Sequence, residues 1–199
     1  MSLTANERAQ RIKVILFDVD GVLTDGGIWL FPAPAGATGT SMVEAKGFNA
    51  HDGAGITLAR LGGLKCGIIT KRVSDTVALR ARDLRLEHVY MGQSHKLKAV
   101  REIMAREDVS IDEIAYVGDD LIDLPVMRVC GLAIAVANAR AQVKAAAHYV
   151  TPLPGGQGAG RDAIEFILNA KGMLDTVIEE FLQEDSATVA AADIGQGGM

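Results

Sequence analysis

Two carboxylates, Asp18 and Asp20, stand at the end of the apolar run Val14-Ile15-Leu16-Phe17 and are followed at once by Gly21. Residues that alternate along an extended chain point to one side, and clustered like charges cost energy unless a cation or a shared proton relieves them. Asp-Gly is common turn chemistry, but a turn accounts for one of these acids poorly and for both worse. Further along, polar groups follow other apolar runs: Thr70 with the basic pair Lys71-Arg72, then Gly92-Gln93-Ser94-His95-Lys96, then Gly118-Asp119-Asp120. Carboxylate and carbonyl oxygens suit Mg²⁺, which is usually held by one or two carboxylates together with phosphate and water. Gly21 leaves room for a ligand beside the backbone. Three carboxylates, a hydroxyl and a cation make an inventory for phosphoryl transfer.

These groups need a scaffold that delivers strand ends to one place. The sequence predicts strands at residues 14–17, 65–69, 88–91, 114–117 and 132–136, with a last one starting at Tyr149-Val150. Helical periodicity separates them: an amphipathic helix opened by Asp52 and closed by Gly62-Gly63, one capped by Ser74, one with Ser94 placed to cap it and Lys96 in its first turn, and one at 140–147. A longer helical stretch, 161–182, has a break at Gly172. This alternation implies an α/β fold, a Rossmann-like parallel sheet with helices on both faces, and such sheets bind ligands at the carboxyl ends of their strands. Residues 28–31 and 43–48 read as a projecting hairpin with a loose Pro- and Gly-rich tip at 32–40. The segment 152–160 is too Gly-rich to be core.

Lys96 is informative because the helix dipole disfavours a cation in a first turn, by a few tenths of a kcal/mol to about 1 kcal/mol. A lysine there makes sense with an anion opposite. For Asp120 and Asp123 the converse holds, and dipole complementarity at a helix start suffices to explain them.

Bulk properties bound the function. The chain has 199 residues, 49% hydrophobic and 23% charged, which fits one globular domain over 1–183 with a disordered Ala- and Gly-rich tail at 184–199. A net charge of −5 argues against nucleic acid as the main partner. Cys66 and Cys130 lack metal-site spacing and read as core thiols. Neither a signal segment nor an apolar span of membrane length stands out, so the expectation is a cytoplasmic protein with no membrane partner.

The ordered set Asp18-Val19-Asp20-Gly21, Thr70, Lys96 and Gly118-Asp119-Asp120 resembles the four motifs of the haloacid dehalogenase superfamily of phosphatases. The wider phrases at 20–26, 92–96, 118–127 and 155–161 resemble one capless branch, the 3-deoxy-D-manno-octulosonate 8-phosphate phosphatases. The resemblance covers residues 11–182. It implies that Asp18 is the nucleophile, Asp20 the general acid and then base, and that Thr70 and Lys96 bind the phosphoryl oxygens. It also implies Mg²⁺ held by the Asp18 and Asp119 carboxylates and the Asp20 carbonyl, with Asp120 acting through water. Arg72, His51 and Arg161 become candidate substrate contacts beside Gly21, although a charged residue in a first helical turn explains Arg161 nearly as well. A homotetramer, with the hairpin at 28–48 in place of a cap domain, is the implied assembly.

The chain departs from the branch in carrying Lys71 where a glycine is usual and His51 where an arginine is common, and in a longer hairpin tip. Phosphate chemistry survives these changes, whereas sugar-acid recognition is open between an eight-carbon 8-phosphate and a nine-carbon 9-phosphate of the sialic acid type. A signalling receiver also combines Asp, Thr, Lys and Mg²⁺, but in a different chain order. A catalytically silent binding module conflicts with the intact Asp18 and Asp20.

Overall fold

The computed structural model describes residues 3–34, 36 and 42–191, the side chains of 184–191 excepted. The chain opens with a short helix, α1 (Ala5–Ala9), held by a Thr4–Glu7 capping box, and enters the central strand β1 (Val14–Phe17). Every β1 residue is fully buried, as an unbroken apolar run requires when both faces of the sheet are covered. The hairpin β2 (Trp29–Pro32) and β3 (Met42–Ala45) is antiparallel and separate from the main sheet. The expected second strand at 43–48 is therefore shorter and starts a residue earlier. The expected tip falls mostly on residues outside those described.

Then come α2 (Ala50–Leu61), β4 (Lys65–Ile69), α3 (Asp75–Asp83), β5 (His88–Tyr90), α4 (Lys96–Glu107), β6 (Ile114–Gly118), α5 (Leu124–Met127), β7 (Leu132–Ala135), α6 (Ala141–Ala146), β8 (Tyr149–Val150), α7 (Ala159–Ala170) and α8 (Leu174–Ala191). Two helix caps differ from expectation. Asn49, not Asp52, caps α2, its side chain accepting the His51 N–H at 2.8 Å. The residue preceding α4 is His95, which makes no side-chain cap, so Ser94 does not serve as one. Ser74 does cap α3, accepting the Val77 N–H at 3.5 Å. The break at Gly172 is present, with φ +67°, the left-handed conformation in which glycine is least strained. The last helix continues to Ala191, into the stretch expected to be irregular; residues 192–199 lie outside those described.

Six parallel strands form the main sheet in the order β5-β4-β1-β6-β7-β8. Helices α1, α2, α7 and α8 pack together, and α4, α5 and α6 form a second group. Among the described residues no helix is long and apolar enough to cross a membrane.

The strand order places a switch point beside β1. Connections from β1 run toward β4, whereas those from β6 run toward β7, which opens a crevice at the carboxyl ends of the two adjacent strands. Register then sets depth: Phe17 lies opposite Ile68 of β4 and Val117 of β6. Asp18, Thr70 and Asp119 therefore leave the sheet in one layer.

Candidate active site

Asp18 is held in place by its own neighbours. Its backbone N–H donates to the Val117 carbonyl at 3.0 Å, and its Oδ1 accepts the Val19 N–H at 2.7 Å. The chain then turns, with the N–H groups of Leu23 and Thr24 both 3.0 Å from the Val19 carbonyl. Gly21 has φ +88°, and a Cβ there would lie 2.2 Å from Asp119 Oδ2, so only glycine lets the Asp119 carboxylate settle against this loop.

Lys96 is buried beneath Asp18. Its ammonium is 2.8 Å from Asp18 Oδ2 and 2.7 Å from Asp123 Oδ1, and donates to the Tyr116 hydroxyl at 3.0 Å. The anion opposite the first turn of α4 is thus a pair of carboxylates within the protein. Tyr116 in turn donates to Asp123 Oδ1 at 2.8 Å, while Asp123 Oδ2 accepts the N–H groups of Asp119 at 3.0 Å and Asp120 at 3.3 Å. Asp123 is fully buried. Dipole complementarity does not describe it: it anchors Lys96 and the backbone that carries Asp119. The Asp119-to-Asp123 spacing and a tyrosine in an otherwise apolar strand were the available sequence signals. For Asp120 the simpler account holds, since it is exposed and its Oδ1 accepts the Leu121 N–H at 2.7 Å.

Charge crowding is the main electrostatic feature. Burial, opposed by Lys96 and reinforced by Asp123, pushes the Asp18 carboxyl up to about 6. Burial and the charges of Asp123, Asp18 and Asp120 push Asp119 up to about 7. One carboxylate oxygen each from Asp18, Asp119 and Asp123 lies within 4.8 Å of the others, a spacing that could hold a metal ion. Asp123 is fully buried, with four donors on its two oxygens and no place in the lining of the cleft, whereas Asp18 and Asp119 face the cleft and are the carboxylates placed to meet a cation. Hard oxygen donors of this kind fit Mg²⁺.

Asp18, Asp20, Thr70, Lys71, Arg72, Asp119, Asp120 and Ile122 line an open cleft of about 200 Å³. Thr70 is buried, and its Oγ1 accepts the Arg72 N–H at 3.3 Å, leaving the hydroxyl proton free to donate. Asp20 pairs through Oδ1 with the Lys46 ammonium, and its Oδ2 is 3.7 Å from Arg72 Nε. No sequence motif marks Lys46 or its near neighbour Glu44. Two charged residues of opposite sign at alternate hairpin positions were the only hint.

His51 and Arg161 are not brought into this cleft. Arg161 packs against Gly55 of α2 and pairs with Glu165 at 2.6 Å. The Gly-rich loop before it does reach the site: a Cβ on Gly155 would lie 1.7 Å from the Gly21 carbonyl, and the Gly156 N–H donates to the Val22 carbonyl at 3.0 Å. Asp52 fastens the other end of that loop. Its Oδ1 accepts the Arg161 N–H at 3.0 Å, and burial, opposed by hydrogen bonds from the Arg161 and Gly160 N–H groups, pushes its carboxyl up to about 6.

Comparison with known proteins agrees with this geometry. Residues 69–158 match the haloacid dehalogenase-like hydrolase family. The 3-deoxy-D-manno-octulosonate 8-phosphate phosphatase of Escherichia coli (strain K12) is 40% identical over 168 residues, 84% of this chain and 85% of that protein. The crystal structure of the phosphatase of that name from Yersinia pestis superposes with a TM-score of 0.80 at 40% identity, covering 86% of this chain and 88% of the other. The Moraxella catarrhalis phosphatase of the same name, in complex with a magnesium ion, a phosphate ion and a KDO molecule, gives a TM-score of 0.80 at 35% identity over 89% of this chain and 97% of the other. With this fold, these motif residues gathered at its switch point and relatives matched over most of their length, the chain belongs to the haloacid dehalogenase-like hydrolases, in the branch of the 3-deoxy-D-manno-octulosonate 8-phosphate phosphatases.

Proposed function

We propose that the protein is a Mg²⁺-dependent phosphatase that hydrolyses 3-deoxy-D-manno-octulosonate 8-phosphate to the free sugar acid and phosphate through an aspartyl-phosphate on Asp18. The observation that carries the proposal is the buried Asp18–Lys96 pair, 2.8 Å apart, at the base of a cleft lined by Asp20, Thr70 and Asp119. In the first half-reaction an Asp18 oxygen attacks phosphorus, the bond from phosphorus to the sugar oxygen breaks, and that oxygen takes a proton from Asp20. In the second, Asp20 removes a proton from water as the water oxygen attacks phosphorus, releasing phosphate and restoring the Asp18 carboxylate. Thr70 holds a non-transferring oxygen, and Lys96 does so by exchanging one of its three acceptors, Asp18, Asp123 or Tyr116, for the phosphoryl group. A Mg²⁺ held by Asp18, Asp119 and the Asp20 carbonyl would neutralise charge on the phosphoryl group and on the attacking carboxylate. Arg72, which lines the cleft, serves as a substrate contact.

The same reading makes the enzyme a cytoplasmic homotetramer. Its support is the hairpin, where Ile28, Trp29, Leu30 and Phe31 are each at least half exposed; apolar patches of this kind mark association surfaces.

The substrate is tested by comparing kcat/KM for the eight-carbon 8-phosphate with that for a nine-carbon sugar acid 9-phosphate. A clear preference for the former supports the assignment, and equal, weak activity on both overturns it. Chelation of divalent metal is expected to stop turnover.

A further inference from the structure

The hairpin reaches the cleft through an alternating ring of charges. Lys46, just past β3, pairs with Asp20 Oδ1 and lies 3.7 Å from Glu44 Oε1. Arg72, just past β4, lies 2.5 Å from the same Glu44 oxygen and 3.7 Å from Asp20 Oδ2. Ser74 donates to Glu44 Oε2 at 2.6 Å, and the Thr76 hydroxyl donates to the Glu44 carbonyl at 3.3 Å. The Ser74 hydroxyl, chiefly, and the two cations hold the Glu44 carboxyl below the usual range. Two separate segments, the hairpin flank and the stretch after β4, are thereby tied to one carboxylate, Asp20.

Lys46 differs from an ordinary surface partner. Its side chain is fully shielded from solvent, whereas that of Arg72 is 42% exposed. A buried ammonium needs acceptors, and the ones it meets are Asp20 and Glu44. Because Lys46 is bonded to Oδ1 while Arg72 is beyond hydrogen-bond length from Oδ2, the two oxygens of Asp20 are not equivalent. Oδ2 is the atom left to exchange a proton with substrate.

We propose that Lys46, backed by Glu44, is a positioning residue for proton transfer: it fixes the Asp20 carboxylate so that Oδ2 meets the departing sugar oxygen. The inference rests on the reading of Asp20 as the acid of the first half-reaction. There the phosphorus–oxygen bond breaks, the electron pair stays on the sugar oxygen, and the Asp20 proton joins it. Displacement of Oδ2 hinders departure of an alkoxide, which requires that proton. It barely affects an aryl oxide such as para-nitrophenolate, which leaves without one.

The test compares leaving groups using kcat/KM, which reports steps up to phosphoenzyme formation. Lys46→Met is expected to lower kcat/KM for the sugar phosphate by at least about tenfold, within the range of a general acid's contribution, and to leave that for para-nitrophenyl phosphate within about threefold. Lys46→Arg, which keeps the cation, is expected to recover most of the sugar phosphate activity, and Glu44→Gln to show a weaker form of the same selective loss. Equal losses on both substrates, or none, would overturn the proposal. Should Lys46→Met not fold, the comparison is carried by Glu44→Gln, for which a uniform effect is equally contrary. Asp20→Ala serves as the reference: if it too lacks the leaving-group dependence, the acid role of Asp20 fails, whereas a selective Asp20→Ala with a non-selective Lys46→Met contradicts the positioning role alone.

Discussion

At the residue scale, the cluster of Asp18, Asp119 and Asp123 gathers more negative charge than Lys96 offsets. Lys96 bridges Asp18 and Asp123, and breaking a buried pair by removing one partner typically costs about 3–5 kcal/mol. Lys96→Met is therefore expected to lower the melting temperature and to reduce turnover by about a hundredfold or more, on the scale of losing a donor to the transferring group; melting curves and steady-state rates check both. The crowded acids also set a pH dependence. Asp18, Asp52 and Asp119, raised to about 6, 6 and 7, retain protons in the folded state that an unfolded chain releases near its ordinary value of about 4. Between roughly pH 4 and 7 these three groups bind more protons in the native state, so their contribution to the stability of the metal-free protein falls as pH rises, opposed by that of His88 and His148, whose values burial lowers. Mg²⁺ is expected to raise the melting temperature more at pH 7.5 than at pH 5.5, because protonation of Asp119 competes with binding. A metal effect that is larger at the lower pH would contradict this.

At the element scale, two long-range contacts shape the site. Asp52 of α2 acts as a cap for α7, whose own N-cap residue, Gly158, has no side chain. Asp52→Ala is expected to cost about 1–2 kcal/mol, the value of a lost helix cap, with Asp52→Asn largely retaining stability in denaturant melts. The Gly155 contact is tighter still, and Gly155→Ala is expected to displace the loop from Gly21 and depress turnover. The strands, most helices and the residues Asp18, Asp20, Thr70 and Asp119 that come together at the cleft could be read from the sequence, because apolar runs ending in polar residues are local patterns. Lys46 with Asp20, and Asp52 with Arg161, are 26 and 109 residues apart. No local pattern specifies which distant segment comes to rest against which. Asp123 is a different case, since its spacing from Asp119 was visible while its burial, which decides its role, was not.

At the scale of the whole molecule, strand order converts these separate segments into one cleft. The switch point between β1 and β6 explains why Asp18 and Asp119 meet although they are 101 residues apart in the chain. The same architecture leaves the hairpin outside the sheet with an exposed apolar flank, and the tetramer reading assigns that flank to subunit contacts. Trp29→Lys with Phe31→Glu is expected to shift the mass measured by light scattering from tetramer toward monomer; an unchanged mass would remove the hairpin from the interface. The most direct test of the central claim is acid quenching of the enzyme during turnover of phosphorus-labelled 3-deoxy-D-manno-octulosonate 8-phosphate. The account predicts acid-stable label on the peptide containing Asp18, with neither label nor turnover in a folded Asp18→Asn variant; undiminished turnover by that variant would contradict it.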